Sequence, residues 1–122
     1  MSGGDRHALG LWGEDRAARW LQVRGYRIVS RRYRRREGEV DLIAQRGDYL
    51  CFVEVKLRRD ARMGEARESV DRRKQERLRA AATHYLLEHP TDLQPRFDVM
   101  EVYAPEGMQT QRPAIRHWPN AF

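Results

Sequence analysis

One cysteine, Cys51, stands in a chain of 122 residues. An internal disulfide and a cysteine zinc site are both excluded. No run approaches the 18 apolar residues of a membrane-spanning helix. The opening Met-Ser-Gly-Gly-Asp has neither the basic nor the apolar region of a secretory signal. The expected setting is the reducing cytoplasm, with Cys51 a small core residue rather than a nucleophile. There is no glycine-rich phosphate loop and no serine–histidine triad, and the four histidines show no ligand spacing. Lysine is the scarcest charged residue: 22 arginines accompany only Lys56 and Lys74. Codon bias accounts for arginine in general, but it makes the two positions that kept lysine informative.

The formal net charge is +6 and the isoelectric point about 10.1, which points to a polyanionic partner. Without a long basic amphipathic helix, nucleic acid is expected rather than a membrane. Residues 24–36 hold seven arginines and no acid, interleaved with Tyr26 and Tyr33. Arg31, Arg32, Arg34, Arg35 and Arg36 suit phosphate contacts, with some base stacking on the tyrosines; the plainer reading is a solvated face.

No repeat or low-complexity linker divides the chain, and its length suits one domain, residues 1–122. The core spans about 7–104, with a tail of weak signals at 105–122. Apolar spacing predicts a helix from about His7 to Arg24, stopped by Gly25, and a strand from Tyr26 to Tyr33. A hairpin comes next. A second helix runs from Glu68 or Ser69 to His89, with Ser69 as the N-cap, and a strand covers Arg96 to Tyr103. The class is mixed α/β.

The hairpin, GEVDLIAQRGDYLCFVEVK, carries an acid inside each apolar strand: Asp41 and Glu54. A two-residue Gly47-Asp48 turn, glycine first, pairs Arg46 with Tyr49 and, counting back, Asp41 with Glu54. Opposed residues share a face, and alternation adds Lys56 to it. Opposed like charges destabilise a sheet. Either an arginine pairs with one carboxylate, or a divalent cation, Mg²⁺ or Mn²⁺, takes both. A lysine beside such an ion, in a partly dry cleft, loses pKa and can orient or deprotonate water; arginine cannot.

Asp41 followed by a turn and Glu54-Val55-Lys56 resembles the D…(E/D)-x-K signature of restriction-endonuclease-like nucleases. The wider pattern resembles the bacterial YraN family, related in fold to archaeal Holliday-junction resolvases. It runs through Gly13-Glu14, Ala17-Ala18, Gly25-Tyr26, the segments 38–43 and 52–56, Arg73-Lys74-Gln75, segment 96–99 and the closing Asn120-Ala121-Phe122. The resemblance implies a single αβββαβ nuclease core with a mixed central sheet flanked by helices. It further implies Asp41, Glu54 and the Val55 carbonyl as metal ligands and Lys56 as the catalytic lysine. Glu14 is expected either as an additional ligand or as a helix-edge acid paired with arginine. The proline that often precedes the first aspartate is Val40 here.

Arg58, Lys74 and Gln75 join the expected nucleic-acid contacts. For Lys74 the alternative is a chain lying along the core edge, and for Gln75 a solvated amide. Trp12, Trp20 and Trp118 read as packing or interface residues rather than base-stacking ones, and Asp98 as structural. The expected activity is metal-dependent phosphodiester hydrolysis on DNA, at branched or damaged structures. The rival is a nucleic-acid-binding protein that keeps the architecture without turnover, and a third option is RNA processing. A homodimer is compatible with all three.

Overall fold

The structure is a computed structural model and describes residues 3–59 and 70–122, with side chains from Arg6 onward. Helix α1 (Gly3–Val23) leads into strands β1 (Arg27–Arg35), β2 (Gly38–Arg46) and β3 (Tyr49–Arg58). Helix α2 (Arg72–Glu88), β4 (Gln94–Tyr103), a short 3₁₀ turn (Gly107–Gln109) and β5 (Ala114–Trp118) follow. The strands form one sheet in chain order. β3 and β4 are parallel and the other neighbours antiparallel. The parallel pair needs a crossover, and α2 supplies it. This is the expected αβββαβ core with its mixed sheet. No helix among the described residues is long and apolar enough to cross a membrane.

Each helix covers one face of the sheet. Ala17, Ala18 and Leu21 of α1 pack on Leu42, Ala44, Cys51, Val53, Met100 and Val102. Leu78, Ala81, Ala82 and Tyr85 of α2 pack on Tyr33, Val40, Ile43, Leu50 and Phe52. Cys51 is fully buried, and burial, followed by the nearby Asp98 charge, pushes its thiol up to about 12. It is an inert core residue, as expected. Trp12 and Trp20 pack against the α1 cluster, and Trp118 packs against Val70 and Val99.

The hairpin has the anticipated register, with Arg46 opposite Tyr49 and Leu42 opposite Val53. Gly47 turns it at φ 57°, a region that costs glycine nothing. Three details differ from expectation. The N-cap of α2 is Asp71, whose carboxylate accepts the Lys74 N–H at 2.9 Å; Ser69 lies outside the described residues. Strand β1 starts one residue later and ends two residues later than expected, and β4 starts two residues earlier. The tail supplies a fifth strand, which short polar segments with prolines on both sides did not advertise.

That tail is anchored by Asp98, completely buried on β4 opposite Val53 of β3. It accepts from Arg96 at 2.8 and 2.9 Å and from the Asn120 N–H at 3.0 Å, and pairs with His117 at 2.8 Å. Burial alone would raise its pKa; the His117, Arg96 and Asn120 bonds outweigh it and hold the carboxyl below its usual range. Asp98 is structural, as its sequence context indicated.

Gly38 sets the distance between β2 and α2. A Cβ built there would lie 1.9 Å from the Arg77 carbonyl oxygen, and backbone cannot step aside as a side chain can. Gly38→Ala is expected to lower stability by about 1–3 kcal/mol, the usual range for overpacking. Urea unfolding checks this, and an unchanged midpoint would show that α2 shifts freely on the sheet.

Candidate active site

The site forms where the β2–β3 ladder opens. The last ladder pair towards that end is Leu42 with Val53. One step further, the Asp41 side chain takes over from the backbone: its Oδ2 accepts the Val55 N–H at 2.8 Å. A strand residue's N–H and C=O face the same neighbour, so the Val55 carbonyl also leaves β3 on the β2 side.

Across the sheet at the same step lies Arg32, between the Arg31–Leu42 and Tyr33–Val40 pairs. Its φ is 54°, a region uncommon for residues other than glycine and often found at functional sites. The kink breaks the alternation of both strands. Arg31 reaches Asp15 of α1, whereas Tyr33 packs under α2. Leu42 faces α1, whereas Val40 packs with the α2 cluster. Asp41 sits at the crossover. The two hairpin acids meet as the register foretold, but Asp41 arrives by turning across the open ladder, not by standing beside Glu54 on a regular face.

From this position Asp41 lies within hydrogen-bonding reach of Glu14 on α1 and of Glu54 on β3. Gly13 permits the approach of α1: a Cβ there would come within 3.0 Å of the Leu57 side chain. Burial, and then the Asp41 charge, pushes Glu14 up to about 7, against the opposing effects of Arg32 and Arg34. Burial and Asp41 likewise push Glu54 up to about 7, against the pull of Lys56. The Lys56 ammonium lies 3.2 Å from Glu54 Oε1.

The chain's only two lysines meet at this point. Lys74, from the first turn of α2, lines the same cleft as Lys56 and lies close to it. That proximity, followed by burial, holds the Lys74 amine below its ordinary range. A cleft of about 510 Å³ opens over the pair, lined by Glu39, Glu54, Lys56, Asp71, Arg73, Lys74 and Arg77.

The other expected contacts are distributed unevenly. Arg34 turns onto Glu39, Asp41 and Glu14. Arg31 pairs with Asp15, and Arg35 pairs with Glu88 while stacking on Tyr33. Arg36 is exposed and has no ion pair among the described residues. Arg58 lies 3.4 Å from Glu101. Gln75 donates to the Val70 carbonyl at 3.0 Å, fixing the approach to α2. Sequence reasoning missed Glu39, Asp71, Arg73 and Arg77 as cleft residues. The spacing of Arg73, Lys74 and Arg77, one and four apart at a helix start, was the available signal.

The donor set suits a hard divalent cation. Mg²⁺ characteristically takes one or two carboxylates and fills its remaining positions with water and phosphate oxygens. Asp41, Glu54 and the Val55 carbonyl offer that number. Among the described residues no group of three His, Cys, Asp or Glu side chains forms a ready-made metal cluster, so a cage built wholly of protein side chains is not on offer.

A single α/β domain with a five-stranded mixed sheet between two helices, and an acid pair at the open end of its hairpin, defines the class. The model of the uncharacterised protein family UPF0102 matches residues 13–102. A UPF0102 protein of Frankia casuarinae is 48% identical over 118 residues, covering 96% of this chain and 98% of the relative. One from Rhodococcus opacus is 46% identical, over 94% and 96% of the two chains. One from Anaeromyxobacter dehalogenans is 44% identical, over 99% and 90%. The chain belongs to the UPF0102 family, also known as YraN.

The raised acids make stability depend on pH. Glu14 and Glu54 bind protons more tightly folded than unfolded, so their contribution is full below about pH 4.5. It is lost as the pH rises through about 7. The metal-free protein is expected to lose stability over that window, at on the order of 1.4 kcal/mol per pH unit for each fully shifted group. Glu54→Gln should show a shallower decline in thermal melts. An identical pH profile would mean that Glu54 titrates as an ordinary surface acid.

Proposed function

We propose that this protein is a divalent-cation-dependent nuclease that hydrolyses phosphodiester bonds in DNA. The observation that carries the reading is that Glu54 and both lysines line one cleft with a basic rim, with Asp41 next to Glu54. Asp41, Glu54 and the Val55 carbonyl would hold Mg²⁺ or Mn²⁺. Such an ion, when bound, polarises a phosphate and lowers the pKa of water.

The protein's own groups divide the remaining tasks. Asp41 has one oxygen fixed by the Val55 N–H, which orients the other. Glu14 acts on Asp41 from the α1 side, sharing a proton with it and restraining its position. Lys56, held by Glu54 at 3.2 Å, orients the attacking water; once the ammonium has released a proton to solvent, the free amine takes the water's proton and becomes the ammonium again. Lys74, Arg73 and Arg77 take the substrate's phosphates along the cleft; their place at a helix N-terminus adds to the pull on an anion. Arg36 extends the same positive surface. Branched or damaged DNA is the substrate class that the resolvase resemblance favours. The competing reading, a binder without turnover, is favoured by no particular contact in the site.

The decisive assay is single-turnover cleavage of branched, nicked and single-stranded DNA with Mn²⁺ and enzyme in excess, with RNA as competitor. Lys56→Arg and Lys56→Ala are both expected to bind DNA and Mn²⁺ nearly as the parent does. Both should lose at least ~100-fold in cleavage, the lower end of a lost proton-transfer contribution. Near-parental cleavage by Lys56→Arg would leave Lys56 a purely electrostatic role, and no cleavage by the parent on any substrate would favour the binder.

Phosphate binding has its own test. Replacing Arg36, Arg73 and Arg77 together with alanine should flatten the slope of log affinity against log salt on duplex DNA by roughly 2 to 3. An unchanged slope would place the DNA elsewhere.

A further inference from the structure

Arg34 occupies the ground that a cation would use. Its Nε lies 3.5 Å from Glu39 Oε2, and its Nη2 lies 3.7 Å from Asp41 Oδ1 and 4.0 Å from Glu14 Oε1. A committed charge-assisted hydrogen bond is about 2.7–2.9 Å long, so one guanidinium serves three acids and engages none of them fully. Its Nη1 is buried with no partner among the described residues. Asp41 Oδ2 is committed to the Val55 N–H. The oxygen left for a metal is Oδ1, the one that faces Arg34.

We infer that Arg34 is a resident counter-ion that competes with the divalent cation for Asp41, and that a substrate phosphate couples the two by drawing Arg34 away. The inference rests on the metal-dependent reading above and adds to it an order of assembly. The Arg34 side chain is about one-third exposed, so its outer flank is open to an incoming anion. A guanidinium's planar fork matches phosphate better than it matches three divergent carboxylates. Phosphate binding therefore removes a positive charge from Asp41 as it brings in a ligand, and ion affinity rises. By linkage the ion raises substrate affinity by the same factor. An ion-loaded site then forms mainly where nucleic acid is already bound, which limits stray hydrolysis.

Mn²⁺ affinity, read by the electron paramagnetic resonance of free Mn²⁺, tests this without any cleavage assay. All measurements use a Lys56→Ala background with a short duplex oligonucleotide as the phosphate probe, so that nothing is cut. Without DNA, Arg34→Gln is expected to bind Mn²⁺ about 10-fold tighter than the Arg34 protein, in the middle of the usual range of coupling between sites. The oligonucleotide should tighten Mn²⁺ binding by about 10-fold when Arg34 is present and by much less in Arg34→Gln. Arg34→Lys keeps the charge and should stay near the Arg34 affinity without DNA, but show weaker coupling because it lacks the fork. Should Arg34→Gln not fold, an Arg34→Lys protein with undiminished coupling overturns the inference. So does equal or weaker Mn²⁺ binding by a folded Arg34→Gln. If those two proteins bind Mn²⁺ equally and Asp41→Asn abolishes it, only the competition falls. If neither binds Mn²⁺, the metal-dependent reading falls as well.

Discussion

The hydrogen bond from the Val55 N–H to the Asp41 carboxylate replaces a rung of the β2–β3 ladder, and the site follows from that replacement. A backbone rung would have kept the strands parallel to their pairing and Asp41 on one face. Satisfying this half-buried N–H with a side chain instead draws the carboxylate towards β3, close to Glu14 and Glu54. Glu14 approaches with α1 and Glu54 with β3, and each is pushed up to about 7 by burial and by Asp41. A sheet tolerates this only with positive charge close by, which Arg34, Arg32 and Lys56 provide.

The scaffold keeps the strain local. On the neighbouring strand β4 a buried carboxylate, Asp98, is bonded by Arg96, His117 and the Asn120 N–H, and its pKa is depressed. At the open end of the hairpin the acids outnumber their firm partners, and Glu14 and Glu54 have raised pKa values. The contrast separates an acid used to fasten β5 and the closing residues from acids left under-compensated. Under-compensated carboxylates are what a site for a divalent ion needs, since a fully satisfied one would have to surrender bonds before it could coordinate.

Much of this was legible in the sequence because it rests on local rules. Gly47-Asp48 fixed the hairpin register, and the register brought Asp41 to Glu54; the scarcity of lysine marked Lys56. The αβββαβ order followed from apolar periods and turns. What was not legible depended on departures from those rules. Strict alternation gave no hint that Arg32 would adopt φ 54° and turn both strands over at the Asp41 step. A count of arginines could not tell Arg34, spread among three acids, from Arg36, open to solvent. The N-cap is Asp71, a choice the sequence left open because Ser and Asp both cap well. The meeting of Lys74 with Lys56 depends on the distance between α2 and β3, which no local pattern encodes.

The central claim is that Asp41 and Glu54 together form a binding site for a divalent cation. Anomalous diffraction at the manganese edge, from crystals grown with Mn²⁺ and a short duplex, addresses it without reference to activity. The account predicts one strong peak at roughly 2.1–2.2 Å from Asp41 Oδ1, a Glu54 oxygen and the Val55 carbonyl, close to the metal–oxygen distance of a small divalent ion. It also predicts that the Arg34 guanidinium has turned to a phosphate. A map without a peak at these oxygens, with Arg34 still lying among Glu14, Glu39 and Asp41, would contradict it.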